Sequence, residues 1–139
     1  ETSLTGSEPI KIRFKGAVPA GVLIPHILIM FAGMLVSTRA GLEAIARGAK
    51  ARAYASWAFG LLFAGGMILG PVIQKLAFGA YWTGFPLGRD LTDTKTLATI
   101  ALWIAALVAG RQGKPARGWV LAASLLTLAV YLIPHSLLG

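Results

Sequence analysis

Both histidines of this chain stand at the end of the same tetrapeptide, Leu-Ile-Pro-His, which closes at His26 and again at His135. Each tetrapeptide lies inside or at the end of a strongly apolar stretch of sequence. An imidazole in such surroundings can ligate a haem iron or hydrogen-bond the carbonyl of a quinone. Ionisable side chains inside membrane segments are candidates for function by default, so His26 and His135 are the first candidate site residues.

Two further side chains could complete a redox site around these histidines. Tyr131 precedes His135 by four residues, which places both side chains on one face of a helix. Trp82, in a loop rich in glycine and aromatic residues, could pack against a flat ring. The pattern indicates either haem b with His26 and His135 as axial ligands, or a quinone bound by a histidine and Tyr131.

A copper site is a third interpretation of the same region. His26, Met30 and Met34 follow one another at intervals of four residues, so they share one face of a helix. Thioether sulfur is a soft ligand that suits Cu(I). Methionine at helical spacing in an apolar helix more often fills the core, so copper ranks below haem and quinone.

The prolines offer a purely structural explanation of the two tetrapeptides. Pro25 and Pro134 have no backbone N–H, and each frees the carbonyl four residues earlier, at Gly21 and Val130. A freed carbonyl inside a membrane needs a partner, and a nearby imidazole N–H can supply one. In this interpretation each tetrapeptide is a helix kink with its own hydrogen-bond donor.

Composition places the whole chain in a membrane. Hydrophobic residues make up 56% of the 139 residues and charged residues 13%, about half the charged fraction of an ordinary soluble domain. The chain has no cysteine, which excludes disulfides, thiolate metal sites and cysteine nucleophiles. No P-loop, nucleophile–base pair or acidic metal cluster is visible, so we expect no catalytic activity of its own.

The apolar stretches predict an all-α fold, a four-transmembrane-helix up-down bundle behind a short polar, strand-like segment. Asp93 is the predicted N-cap of the third helix. The step from Gly66 to Gly70 in the second helix predicts close helix packing in preference to a bound flat cofactor. The predicted tail covers residues 1–16 and the membrane domain 17–139, with helices at about 18–48, 54–76, 94–111 and 119–138.

Net charge and its distribution indicate the partners and the orientation. The charge is +8, and the basic residues gather between apolar stretches, so the expected partners are anionic lipids and other membrane subunits, not nucleic acid. The positive-inside rule barely decides the orientation. Because residues 1–16 are polar and strand-like and position 1 is not Met, we expect both termini outside. The connections around Arg47 and Arg117 would then be cytoplasmic.

Two segments carry a family resemblance. AYWTGFPLGRDLTDTKT, at residues 80–96, and LVSTRAGLEAI, at residues 35–45, resemble segments of an uncharacterised family of small bacterial four-helix integral membrane proteins. The resemblance covers most of the chain from Ile12 onward. It implies four membrane helices in a bacterial inner (cytoplasmic) membrane, often behind an extracytoplasmic N-terminal segment, and it implies no activity.

These observations rank the functions that we expect. The first is an accessory or structural subunit of a larger membrane complex. The alternative is an electron-transfer subunit that binds haem b or quinone at an outer-leaflet site of His26 and His135, with copper third. The topology places both histidines in one leaflet, where they would line a shared pocket with Tyr131 under the loop that includes Trp82.

Overall fold

A computed structural model of the chain describes residues 16–111 and 116–133. Every regular element in this part of the chain is helical, which confirms the predicted all-α fold there. The predicted strand-like segment lies almost entirely outside the described residues, as does the end of the fourth apolar stretch. The helices are α1 (Ala20–Ile45), α2 (Ala51–Phe78), α3 (Leu91–Ala109) and α4 (Arg117–Leu132).

The start of α3 differs from the prediction. Asp90 is the N-cap, and its carboxylate accepts hydrogen bonds from the N–H groups of Thr92 at 2.8 Å and Asp93 at 3.2 Å. The prediction that Asp93 caps this helix is wrong, because its carboxylate instead accepts hydrogen bonds from the preceding loop. The helix therefore begins a few residues earlier than the apolar pattern indicated.

The helices run alternately up and down, and α1 packs against both α2 and α4, which closes the ring. Two hydrogen bonds show that α1 and α4 are antiparallel neighbours. The Tyr131 hydroxyl donates to the carbonyl oxygen of Met30 over 2.6 Å, and the Arg117 guanidinium donates to that of Arg47 over 3.3 Å. The start of α1 and the end of α4 therefore lie at the same end of the bundle.

The two ends of the bundle are named here by one residue each. The Gly16 end contains Gly16, the loop 79–90 and Ile133, and there the Gly16 N–H donates to the Ala77 carbonyl over 2.7 Å. The Arg47 end contains the connection from α1 to α2, the end of α3 and the start of α4.

Small side chains form the interior, and large apolar side chains cover the outside. Alanines dominate the buried core, where the fully buried Trp103 donates from Nε1 to the hydroxyl of Thr127 over 3.0 Å. Large side chains such as Leu28, Leu35 and Trp57 are mostly exposed. This distribution suits a lipid environment, because hydrocarbon solvates an apolar exterior and small residues let helices approach closely.

Three of the described helices are long and apolar enough to cross a membrane: α1, α2 and α3, with 26, 28 and 19 residues. These helices support the assignment of the chain to the membrane proteins. The described part of α4 is also apolar but has 16 residues, shorter than the ~20 that usually span a bilayer. Passage of α4 through the membrane stays a prediction.

A π-helical turn, Ala64–Leu69, interrupts α2. A Cβ added at Gly65 would lie 2.6 Å from the Met30 sulfur on α1, and one added at Gly66 would lie 2.8 Å from Thr96 Cγ2 on α3. A Cβ at Gly70 would come within 4 Å only of the Gly65 carbonyl oxygen of its own helix. Close helix packing therefore falls on Gly65 and Gly66, and Gly70 takes no part in it.

Candidate functional site

His26 joins α1 to the π-helical turn of α2. Its Nδ1 atom lies 3.0 Å from the carbonyl oxygen of Gly65. Because a carbonyl can only accept, Nδ1 carries the proton, and in the neutral ring Nε2 keeps its lone pair. The accepting carbonyl is on a neighbouring helix and is not that of Gly21, which Pro25 frees. His26 thus links two helices by a hydrogen bond and does not donate to the carbonyl that the proline of its own helix frees.

The carbonyl of Gly65 is shared by two donors. The Gly70 N–H donates to it along the helix, in the five-residue spacing that defines a π-helical turn, and His26 donates to it from α1. The next residue, Pro71, has no N–H to give. The combination of Pro71, two buried glycines and an external imidazole therefore favours the wider turn here.

Tyr131 reaches the same part of α1 from the opposite neighbour. Its hydroxyl bonds to the carbonyl of Met30, one helical turn after His26, and its ring meets Phe31 edge-on at a centroid separation of 6.5 Å. His26 lies on α1, and Tyr131 of α4 contacts α1 one turn later, so the structure brings two of the predicted site residues to the same part of α1. Both side chains are bonded to backbone carbonyls.

The other residues predicted for a redox site are not joined to this pair by the described contacts. Trp82 donates from Nε1 to the carbonyl of Phe85 over 3.1 Å, inside its own loop. His135 lies outside the described residues, so the shared pocket and the axial ligation of haem stay predictions. The last described residue before His135 in the sequence is Ile133, whose carbonyl accepts a hydrogen bond from Lys95 Nζ over 2.9 Å.

The residues predicted for copper have structural contacts of their own. The sulfur of Met30 packs against the backbone of Gly65, and the carbonyl of Met34 accepts from the Thr38 hydroxyl over 3.0 Å. Within residues 16–111 and 116–133, no group of three or more His, Cys, Asp or Glu side chains could hold a metal ion. The copper interpretation stays a prediction.

A second candidate surface is the loop 79–90, which is held at several points and is called the pinned loop here. The Asp93 carboxylate accepts from the N–H groups of Thr83 at 2.6 Å and Gly84 at 3.0 Å. Gln74 donates to the Thr83 hydroxyl over 2.6 Å, and the Phe85 N–H donates to Thr94 over 3.0 Å. The loop is therefore fixed to both α2 and α3.

Among the described residues, the charged side chains at positions 89, 90, 93 and 95 around this loop form no ion pair with one another. Asp90 and Asp93 bind backbone N–H groups, and Lys95 binds a carbonyl. The ion pair that joins two side chains in the described part of the chain lies at the other end, between Arg39 and Glu43 at 2.7 Å. The acidic residues of the Gly16 end thus fix the backbone of the loop and of the first turn of α3 by hydrogen bonds.

The pinned loop presents three apolar side chains outward: Tyr81, Phe85 and Leu87, which are 60%, 63% and 80% exposed. They are called the apolar loop face below. The sequence predicts that aromatic residues of this loop lie at the bilayer interface. It gives no sign that the loop is rigid, because the bonds that fix it come from residues on α2 and α3.

A cavity at the Arg47 end was not predicted from the sequence. Its volume is about 270 Å³, and it opens between α2, α3 and α4. Arg52 and Arg117 stand at its wall, and alanine side chains such as Ala55 and Ala106 line its interior. The basic residues between the apolar stretches were the available signal, but their convergence on one cavity depends on the packing of three helices.

The apolar exterior, the small-residue core and the three membrane-length helices define a helical membrane protein. Comparison with known proteins found no matching family model, no similar curated protein and no similar solved structure. The family resemblance drawn from the sequence therefore stays an expectation.

Proposed function

We propose that this chain is an accessory, structural subunit of a larger membrane complex, and that it contacts a neighbouring membrane subunit through the apolar loop face. The observation that carries the proposal is the exposure of Tyr81, Phe85 and Leu87 on a loop held by hydrogen bonds from two helices. Exposed apolar groups that are already ordered bind a partner with little further loss of conformational entropy.

The backbone of the pinned loop is unsuited to the hydrocarbon layer. Much of its backbone is not helical, and lipid-exposed irregular backbone does not occur inside the hydrocarbon layer. The loop therefore belongs at the membrane surface, beside the apolar helix ends. Leu87 is the most exposed of its three apolar side chains, and burial of such a side chain contributes about 1.5–3 kcal/mol.

The polar groups of the bundle support the same proposal. His26, Tyr131 and Trp103 each bond to a group on a neighbouring helix, at 3.0, 2.6 and 3.0 Å. Each of these bonds links two helices. Such use of polar side chains stabilises a scaffold, and it is the expected use in a subunit whose role is to hold its neighbours.

A photocrosslinking experiment in native membranes tests the contact. A photoreactive amino acid replaces Leu87 in one variant and Leu125, an exposed apolar residue of α4, in the control. We expect the Leu87 probe to give one discrete protein adduct that is reproduced with a probe at Phe85, while the Leu125 probe gives mainly lipid adducts. Equal, diffuse labelling of lipid from Leu87 and Leu125 would contradict the proposal.

The second candidate is an electron-transfer subunit, and the orientation of His26 favours it. A backbone carbonyl on Nδ1 is the arrangement that commonly fixes the ring of a metal-ligating histidine, with Nε2 left for the metal. π-Helical turns also occur frequently at functional sites. A haem Soret band in the purified protein that disappears in both His26→Ala and His135→Ala would establish this function, as would bound quinone lost in the same variants. A purified, folded protein with neither cofactor would exclude it.

A further inference from the structure

The cavity at the Arg47 end combines an apolar interior with a basic wall. Ala55 of α2, Ala106 of α3 and Val120 of α4 are buried and line it. Arg52, in the first turn of α2, and Arg117, the first residue of α4, stand beside them. Because three helix ends meet here with small side chains, the interior is not filled.

Each of the two arginines keeps most of its hydrogen-bonding capacity. Arg52 donates to the carbonyl of Gly110, and Arg117 donates to the carbonyl of Arg47 over 3.3 Å. A guanidinium has five N–H donors in a planar fork, so one bond to a carbonyl leaves several donors. The backbone contacts fix the two groups at the cavity without neutralising their charge.

The acidic residue of this end is already engaged. Glu43 forms an ion pair with Arg39 at 2.7 Å, and its other carboxylate oxygen accepts from the Lys50 N–H at 3.2 Å. The other described acidic residues are Asp90 and Asp93, and both lie at the opposite, Gly16 end of the bundle. Arg52 and Arg117 therefore present uncompensated positive charge among the described residues.

The start of two helices adds to the positive potential. Neither α2 nor α4 has a side-chain cap or an acidic residue in its first turn, and both begin at the cavity. The exposed N–H groups of a helix start carry partial positive charge. This contribution reinforces the arginines and favours an anionic ligand.

Exposed tryptophans indicate the depth of this end in the membrane. Trp119 lies two residues after Arg117, and Trp57 lies one to two turns after Arg52. Both tryptophans are at least half exposed. Tryptophan gathers at the level of lipid headgroups, where its ring meets hydrocarbon and its N–H meets polar groups. The cavity mouth thus lies where phosphates of the lipids are found.

From this geometry we infer that the cavity is a binding site for the phosphate group of an anionic phospholipid, held between Arg52 and Arg117. The guanidinium fork matches phosphate oxygens with two parallel hydrogen bonds. A volume of about 270 Å³ falls just below that of pockets for drug-sized ligands, and it suits a headgroup whose acyl chains remain outside. The site goes beyond a diffuse attraction of basic residues to the membrane.

Thermal unfolding of the full chain in a neutral detergent tests the site. The probes are a short-chain phosphatidylglycerol, the matching phosphatidylcholine and inorganic phosphate. We expect saturable stabilisation by phosphatidylglycerol alone. The double variant Arg52→Gln/Arg117→Gln should raise the apparent Kd about tenfold or more, because a hydrogen bond to a charged group typically contributes that much. The control Arg111→Gln removes an exposed charge at the same end, outside the cavity wall, and should leave the Kd within about twofold.

The single variant Arg52→Lys covers the case in which the double variant does not fold. It keeps the charge but loses the planar fork, and it should also weaken phosphatidylglycerol binding. Equal weakening of phosphatidylglycerol binding in Arg111→Gln would indicate diffuse electrostatic attraction and no defined site. Equal stabilisation by phosphatidylcholine would show that the net charge of the lipid is not recognised. Full stabilisation by inorganic phosphate would identify a soluble anion as the ligand. Each of these three results would overturn the inference.

Discussion

The Nδ1 atom of His26 and the carbonyl oxygen of Gly65 are 3.0 Å apart, so an imidazole of α1 is bonded to the π-helical turn of α2. Gly65 is buried, and its carbonyl also accepts from the Gly70 N–H. The bond therefore joins the two longest helices at the place where the second departs from α-helical geometry. Removal of this hydrogen bond should weaken the packing between α1 and α2 more than it changes the helical structure of either one.

We expect His26→Ala to lower the free energy of unfolding by about 1–2 kcal/mol, since one hydrogen bond and the packing of a half-buried ring are lost. His26→Asn, whose amide N–H lies near the position of Nδ1, should recover part of the loss. Equilibrium unfolding in mixed detergent measures both variants. Unchanged stability in His26→Ala would show that the bond contributes nothing to the fold.

Gly66 should not tolerate a large side chain. A Cβ there would already lie 2.8 Å from Thr96 Cγ2, so Gly66→Leu forces α2 away from α3 and should cost about 1–3 kcal/mol or more. Gly60→Leu is the matched control, because nothing lies within 4 Å of a Cβ at that exposed position. Thermal unfolding in detergent should separate the two variants clearly. Equal midpoints would contradict the close approach of α3 to Gly66.

The Trp103–Thr127 hydrogen bond should stabilise the centre of the bundle. Trp103→Phe removes the Nε1 donor at 3.0 Å and part of a fully buried ring, and it should cost about 2 kcal/mol. Trp119→Phe, at an exposed position, should change the free energy of unfolding by less than about 0.5 kcal/mol. A larger loss of unfolding free energy in Trp119→Phe than in Trp103→Phe would contradict the burial of Trp103 and the exposure of Trp119.

The pinned loop should loosen when Asp93 loses its charge. Asp93→Asn weakens the bonds to the N–H groups of Thr83 and Gly84, which are 2.6 and 3.0 Å in length. Because charge-assisted hydrogen bonds are about twice as strong as neutral ones, we expect amide hydrogen exchange at Thr83 and Gly84 to accelerate about tenfold. Arg89→Gln, an exposed change in the same loop, should leave both rates unaltered. Unchanged exchange in Asp93→Asn would mean that other contacts fix the loop.

The sequence predicted the helices well because their signal is local. Long apolar stretches identify membrane-length helices without knowledge of any partner, and short connections imply antiparallel neighbours. The pocket that the sequence predicts for Tyr131 with both histidines stays a prediction, although the structure does bond Tyr131 to Met30, one turn after His26. The all-α character of the described elements followed from composition and length.

The partners of polar side chains could not be predicted in the same way. Sequence spacing describes contacts along one helix, whereas the bond of His26 to Gly65 depends on how two helices are rotated about their axes. The N-cap of α3 shows the same limit, since Asp90 and Asp93 can both cap a helix in principle. The loop determines which residue caps α3, because its N–H groups at Thr83 and Gly84 donate to Asp93 and so leave Asp90 as the N-cap.

The central claim is that the apolar loop face holds this chain in a membrane complex, and sedimentation of mildly solubilised native membranes tests it most directly. The test variant is Phe85→Ser/Leu87→Ser, and the matched control is Leu28→Ser/Leu35→Ser, which changes exposed apolar residues of α1. We predict that the wild type and the control sediment in a complex much heavier than one 14.6 kDa chain, and that the test variant sediments alone while keeping its helical circular dichroism. Sedimentation of the test variant with the heavy complex, or of the wild type as a single chain, would contradict the claim.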